Sequence, residues 1–232
     1  CTKLTSINIP DSVTSIGLYA FSGCYGLKNV NYIGEIDKWA EIDFYDSSSN
    51  PLSCAENLYI NDELVSEITL TNVTKISSYA FEYCRSLTSI NIPDSVTSIG
   101  ERSFDGCKSL TRINLPDGVT SIGNLAFGGC SSLTSINIPD GVTSIGKNSF
   151  SGCSSLTSIS IPNSVTSIGY SPFSNCASLT SITMPNSVMD IEGSAFYGCS
   201  SLTSINLPEG VTSIGDSAFS GCTSLVSINI PD

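Results

Sequence analysis

Ten cysteines and no histidine bound the chemistry open to this 232-residue chain. From Cys84 a cysteine returns every 23 residues, at Cys107, Cys130, Cys153, Cys176, Cys199 and Cys222, and Cys1 to Cys24 is the same step. Without histidine the usual Ser-His and Cys-His nucleophile pairs are absent. A row of thiols also lacks the paired spacing and His partners of a zinc site, and the chain has no phosphate-binding glycine loop. Disulfides along the row are sterically within reach. Neighbouring coils of a stack lie about 4.8 Å apart, inside the roughly 4.4–6.8 Å that separates bridged Cα atoms. Parallel side chains pointing inward fit the required dihedral poorly, however. From Cys84 on, each cysteine also follows a phenylalanine by three residues, as a small apolar core filler would. Free, buried thiols are expected, with no metal, no cofactor and no catalytic residue.

A second column is acidic: Asp11, Asp94, Asp117, Asp140, Asn163, Asn186, Glu209 and Asp232 share one place in the repeat. Oxygen ligands one coil apart suggest Ca²⁺, which takes six to eight oxygens. The easy exchange of Asp for Asn favours ordinary turn chemistry instead.

These residues need elements to hold them, and one repeat, Cys84 to Gly106 (CRSLTSINIPDSVTSIGERSFDG), shows which. Leu87, Ile90 and Ile92 are the apolar positions of a short extended segment, and Ser89 and Asn91 alternate with the isoleucines on the opposite face. Pro93 ends the run, and Pro93-Asp94-Ser95 makes a turn. Other repeats carry Gly118, Gly141 or Gly210 where this one has Ser95, so a positive φ is not required there. A second short strand follows over Val96 to Ile99, and Gly100 breaks it. Glu101 to Cys107 is expected to form about one helical turn that buries Phe104 and Cys107. A fixed period of this length means stacked units that cannot fold singly. Phe21, Phe81, Phe104, Phe127, Phe150, Phe173, Phe196 and Phe219 should then stack as one aromatic spine.

The L-x-x-I-x-I-P core resembles the leucine-rich-repeat signature. The fuller pattern C-x-S-L-T-S-I-x-I-P-x-x-V-T-S-I-G-x-x-A-F-x-G is similar to the BspA-like class of those repeats, and it is readable in Cys1–Gly23 and in every coil from Cys84 onward. Pro172 in place of Ala, and Met189-Asp190 in place of Thr-Ser, are departures that leave the pattern intact. The resemblance implies a right-handed, mainly β solenoid. It would have a parallel sheet of LTSINI strands, a second row of short VTSI strands and one short helical turn per coil. It also implies a non-catalytic adhesion module of a secreted or cell-surface protein, binding host or matrix proteins.

The expected organisation is a single solenoid of roughly ten coils over residues 1–232. Residues 1–25 form a regular coil, 26–71 enlarged irregular coils with a hairpin, and 72–232 regular coils. The chain starts at a repeat cysteine and stops just after Pro-Asp, so a fragment of a longer protein is expected. Residues 26–71 hold Trp39, the single tryptophan, with Tyr32, Phe44, Tyr45, Tyr59 and many acids. Ile36, Trp39 and Ala40 are spaced for one helical face, residues 47–51 read as a loop, and Asn61-Asp62 reads as a two-residue hairpin turn. Trp39, Tyr45 and Tyr59 are either interface anchors or the filling of a larger core.

The other candidate surface is the polar strand face: Ser89 and Asn91, Arg112 and Asn114, Ser135 and Asn137, and their successors. The net charge of −12 repels phosphate backbones and anionic headgroups, which argues against nucleic acid or membrane surfaces. No apolar run reaches the roughly 18 residues of a membrane span. A protein partner and a monomeric chain are expected. The alternatives are carbohydrate recognition through the aromatic segment and a spacer that presents another domain.

Overall fold

Alternation along the LTSINI segments sends isoleucines inward and Ser, Asn or Arg outward, so each segment offers one apolar face and two open backbone edges. In the computed structural model, which describes residues 1–230, those edges are closed by the neighbouring coils. Strand Ser89–Asn91 pairs in parallel with Arg112–Asn114, aligning Ile90 with Ile113 and Asn91 with Asn114. Ser135 joins Arg112 by a single bridge. Ser158–Ser160 pairs with Ser181–Thr183, and Ser204–Asn206 with Ser227–Asn229. A second row runs through Lys75–Ile76, Ser98–Ile99 and Ser121–Ile122, then Ser144–Ile145, Ser167–Ile168, Asp190–Ile191 and Ser213–Ile214. Every such pairing is offset by one repeat, so each residue stacks on its own counterpart. The result is a β-solenoid of about ten turns, roughly 45–50 Å long at strand spacing.

The core is a set of columns. Phe81, Phe104, Phe127, Phe150, Phe173, Phe196 and Phe219 stack with centroids 5.4–5.8 Å apart and nearly parallel planes. Phe21 stands outside this series. The coil between it and Phe81 buries Pro51 and Leu52 and has no phenylalanine at the position three before Cys54.

The cysteine column is free and mostly buried, and it has a polar task. The Cys107 thiol donates to the Phe81 carbonyl of the coil before, at 3.1 Å. The same bond recurs from Cys130, Cys153, Cys176, Cys199 and Cys222. A small side chain with a weak donor fits a site that is apolar apart from one carbonyl oxygen.

The segment from Gly100 to Cys107 differs from expectation. It is a run of tight turns, with Ser103 N–H bonded to Gly100, Asp105 to Arg102 and Cys107 to Phe104. Left-handed residues interrupt it: Arg102 at φ 52° and Gly106 at φ 73°. Glycine suits the second place, although Tyr83 and Asn175 also hold it. At the first place Tyr79, Leu125, Asn148, Ser171, Ser194 and Ser217 adopt the same sign of φ. A left-handed non-glycine residue costs roughly 1–2 kcal/mol. The offset is a hydrogen bond to the next coil, as from Arg102 N–H to Asn124 and from Leu125 N–H to Lys147.

Residues 26–71 adapt the same frame. Strands Ser6–Pro10, Asn29–Ile33 and Asn57–Ile60 pair in parallel. Asn57–Ile60 then turns back through Asn61-Asp62, both left-handed, onto the antiparallel strand Glu63–Leu64. The long row restarts with Glu67–Thr69, which pairs only with Ser89–Asn91. Helix Ile36–Ala40 buries Trp39 and Ala40. The expected loop is two 3₁₀ turns, Ser47–Ser49 and Pro51–Ser53, capped by Asp46 and Asn50.

Replacing Phe150 by Ala removes a ring from the middle of the stack and should cost roughly 3–5 kcal/mol; an unmoved chemical-denaturation midpoint would contradict the column. Burial also pushes thiols up, Cys84 and Cys199 to about 12. A thiol reagent at pH 8 should therefore modify exposed Cys1 first and half-buried Cys54 and Cys222 slowly. The other cysteines should stay unreactive until the protein is unfolded. Rapid modification of all ten in the native protein would overturn the column's burial.

Candidate functional site

The pleat that buries Ile68, Ile90 and Ile113 turns their neighbours outward. Glu67, Ser89 and Arg112 align in one column and Thr69, Asn91 and Asn114 in the next. Together these three strands line a trough of about 350 Å³. Arg112 is exposed in it and has no ion pair among the described residues. It is also a cation on a face otherwise made largely of Ser, Thr and Asn. The trough is open and polar, suited to hydrogen bonding and to one carboxylate contact, and it contains no nucleophile–base pair.

The residues singled out from the sequence fall into three groups. Ser89, Asn91, Arg112 and Asn114 come together in the trough. Ser135 continues the face through its bridge to Arg112, and Asn137 lines a separate hollow with Asp117, Pro139 and Asp140. The aromatic set is dispersed. Tyr59 is half-buried opposite Leu64, and Tyr45 is 70% exposed, beside the short row, where its N–H reaches the Ile16 carbonyl.

Trp39 is fully enclosed, which corrects the interface-anchor alternative. Its ring meets Tyr32 edge-on and Phe44 at a tilt, both at 5.5 Å, and its Nε1–H donates to the Ala80 carbonyl at 2.8 Å. The enlarged coil has a wider interior, and the indole fills it while satisfying a backbone oxygen.

Several acids of residues 26–71 are also engaged structurally. Asp37 accepts from the N–H groups of Thr71 and Asn72 and from the Thr71 hydroxyl. Asp43 pairs with Lys75, and Asp62 bonds Asn31. In the turn column, Asp11 pairs with Lys38. Among the described residues no three His, Cys, Asp or Glu side chains converge as metal ligands, and Asp232 lies outside those residues. Sequence reasoning missed Leu64, Glu67 and Thr69, which border a break in the long sheet. The available signal was a second run with the L-x-x-I-x-I spacing, Val65, Ile68 and Leu70, beginning just after Asn61-Asp62 and only ten residues beyond Ala55, Leu58 and Ile60.

The family profile described as "BspA type Leucine rich repeat region" matches six copies, over residues 1–74, 74–202 and 120–232. A leucine-rich-repeat protein of T. pallidum is 39% identical over 69% of this chain and 78% of its own, with a TM-score of 0.67. One from Eubacterium ventriosum is 26% identical over 97% of this chain, with a TM-score of 0.72, and this chain spans 66% of its length. A leucine-rich cell surface protein of Faecalibacterium prausnitzii is 30% identical over 98% of this chain and 79% of its own, with a TM-score of 0.51. No curated protein matches the chain.

One charged cluster sits beside the phenylalanine stack. Arg102 reaches Glu82 at 3.4 Å and Asp105 at 2.6 Å, and the Glu82 side chain is wholly buried. Burial pushes the Glu82 carboxyl up to about 7, and the negative charge of Asp105 adds to the shift while Arg102 opposes it. Burial also raises Asp105. Between about pH 4.5 and 7 the unfolded chain releases the Glu82 proton and the folded chain keeps it. Stability should fall as pH rises through that window and level off above it. Glu82→Gln should flatten this part of the melting-temperature profile; an unchanged slope would contradict the shift.

Proposed function

This chain belongs to the BspA-type leucine-rich-repeat family, and on that premise we propose that it is a non-catalytic protein-binding module of a secreted or cell-surface protein, with adhesion to host or matrix proteins as its role. The observation that carries the reading is the exposed polar trough over Glu67–Thr69, Ser89–Asn91 and Arg112–Asn114. Solenoids of stacked repeats present extended surfaces of this kind to their partners. The face is rich in hydrogen-bonding groups and poor in aromatic anchors, so its contacts are weak singly and gain strength by repetition along the stack. The F. prausnitzii relative, described as a cell surface protein, supports the same placement here. No helix among the described residues is long and apolar enough to cross a membrane.

Carbohydrate recognition through residues 26–71 has lost its main anchor, because Trp39 is enclosed. A spacer role predicts that no substitution on the face changes any contact. Purified matrix proteins on a biosensor surface separate the two. The wild-type chain should bind at least one of them, and Arg112→Glu should weaken that binding about tenfold with the melting temperature unchanged. Absence of binding to every matrix protein, or an Arg112→Glu variant that binds as wild type, would count against the trough.

A further inference from the structure

Within the third coil the long row is broken between the hairpin and its restart at Glu67, and this break leaves two strand edges facing one groove. Val65 N–H donates to the Leu58 carbonyl at 2.9 Å. Alternation in an antiparallel pair then turns the N–H and C=O of Leu64 away from Tyr59. On the other side Leu70 N–H donates to the Asn91 carbonyl at 3.0 Å. The same alternation turns the backbone groups of Glu67 and Thr69 away from Ser89–Asn91. Both edge strands end their sheets. Between them lies a groove of about 390 Å³, with Ile36, Ile60 and Ile68 among its apolar lining.

The groove is held open by bonds made elsewhere. Asn61 exchanges two hydrogen bonds with the backbone of Gly34, and Asp62 exchanges two with Asn31. These fix the hairpin to the preceding coil. The Val65 carbonyl accepts from the Ser86 hydroxyl, which fixes its base to the following coil. The charge at the groove is one-sided. Glu63 and Glu67 both line it, both are exposed, and neither has an ion pair or side-chain hydrogen bond among the described residues. Asp37, Asp43 and Asp62, by contrast, are occupied by Thr71, Lys75 and Asn31. An exposed edge of unpaired backbone is ordinarily blocked by shortness, charge, proline or a bulge; these edges are short and carry Glu63 and Glu67, whose charge repels acidic strands and admits basic ones.

We propose that the groove receives an extended peptide segment of a partner protein, added as a strand along Glu67–Thr69, with a Lys or Arg side chain beside Glu63 and Glu67. Strand addition supplies affinity through the main chain and specificity through alternate side chains. The inference rests on the protein-binding reading above and names one partner chemistry for it. Because the charges are exposed, the attraction weakens as salt rises.

The test uses ¹⁵N-labelled protein and capped heptapeptides that alternate Val with Lys. The Val/Lys peptide should slow amide exchange at Leu64, Glu67 and Thr69. Of its two versions N-methylated at alternate residues, the one that blocks the donors facing Glu67–Thr69 should not, whereas the other should keep its binding, and a Val/Glu peptide should not slow exchange either. The double variant Glu63→Lys, Glu67→Lys should remain folded and bind the Val/Lys peptide about tenfold more weakly. Equal binding of the N-methylated peptides, protection confined to the face from Ser89 to Asn137, or no binding at the highest soluble concentration would each overturn the proposal. Matrix-protein binding that depends on Arg112 survives such a failure, so the two readings fall separately.

Discussion

Each coil of this chain leaves backbone donors and acceptors pointing along the stack, and only a neighbour in register can answer them. The Phe104 carbonyl shows the arrangement at its tightest. It accepts the Cys107 N–H from its own turn and the Cys130 thiol from the next coil, both at 3.1 Å. The left-handed residues at Arg102, Leu125 and their equivalents depend on the same condition, because their strain is offset by a bond to the following coil. Burial of the phenylalanine and isoleucine columns supplies the driving force. The backbone bonds decide that the columns line up, since a buried donor or acceptor without a partner costs about 1–3 kcal/mol.

That condition also accounts for the irregular coils. Two 30-residue steps, Cys24 to Cys54 to Cys84, cannot match a ladder with a 23-residue offset at every position. The added residues leave the ladder as a helix, two 3₁₀ turns and a hairpin, and side chains then replace the lost backbone bonds. Trp39 reaches the Ala80 carbonyl, Asn50 the Tyr79 carbonyl and Asp37 the backbone of Thr71 and Asn72. The cost is an interruption of the long sheet between Leu64 and Glu67, a stretch where backbone edges face a groove and not another strand. Membership of a repeat family thus explains the scaffold, and the departure from the repeat supplies what is individual to this chain.

The sequence by itself determined the columns. A strict period with apolar residues at fixed offsets leaves a single way to bury them, so the parallel rows, the buried free cysteines and the outward Ser89, Asn91, Arg112 and Asn114 follow from spacing alone. It also signalled the hairpin, because Asn61-Asp62 tolerates the left-handed backbone of a two-residue turn. The tertiary structure decided three things that spacing could not. Trp39 went to the core because the width of an enlarged coil depends on how its neighbours pack around it. The turn from Gly100 to Cys107 took left-handed residues in place of a helix because its partners lie one coil away, about 20 residues distant in sequence. The open edge beside Glu67 exists only because two sheets fail to meet, and no single strand's pattern records the absence of a neighbour.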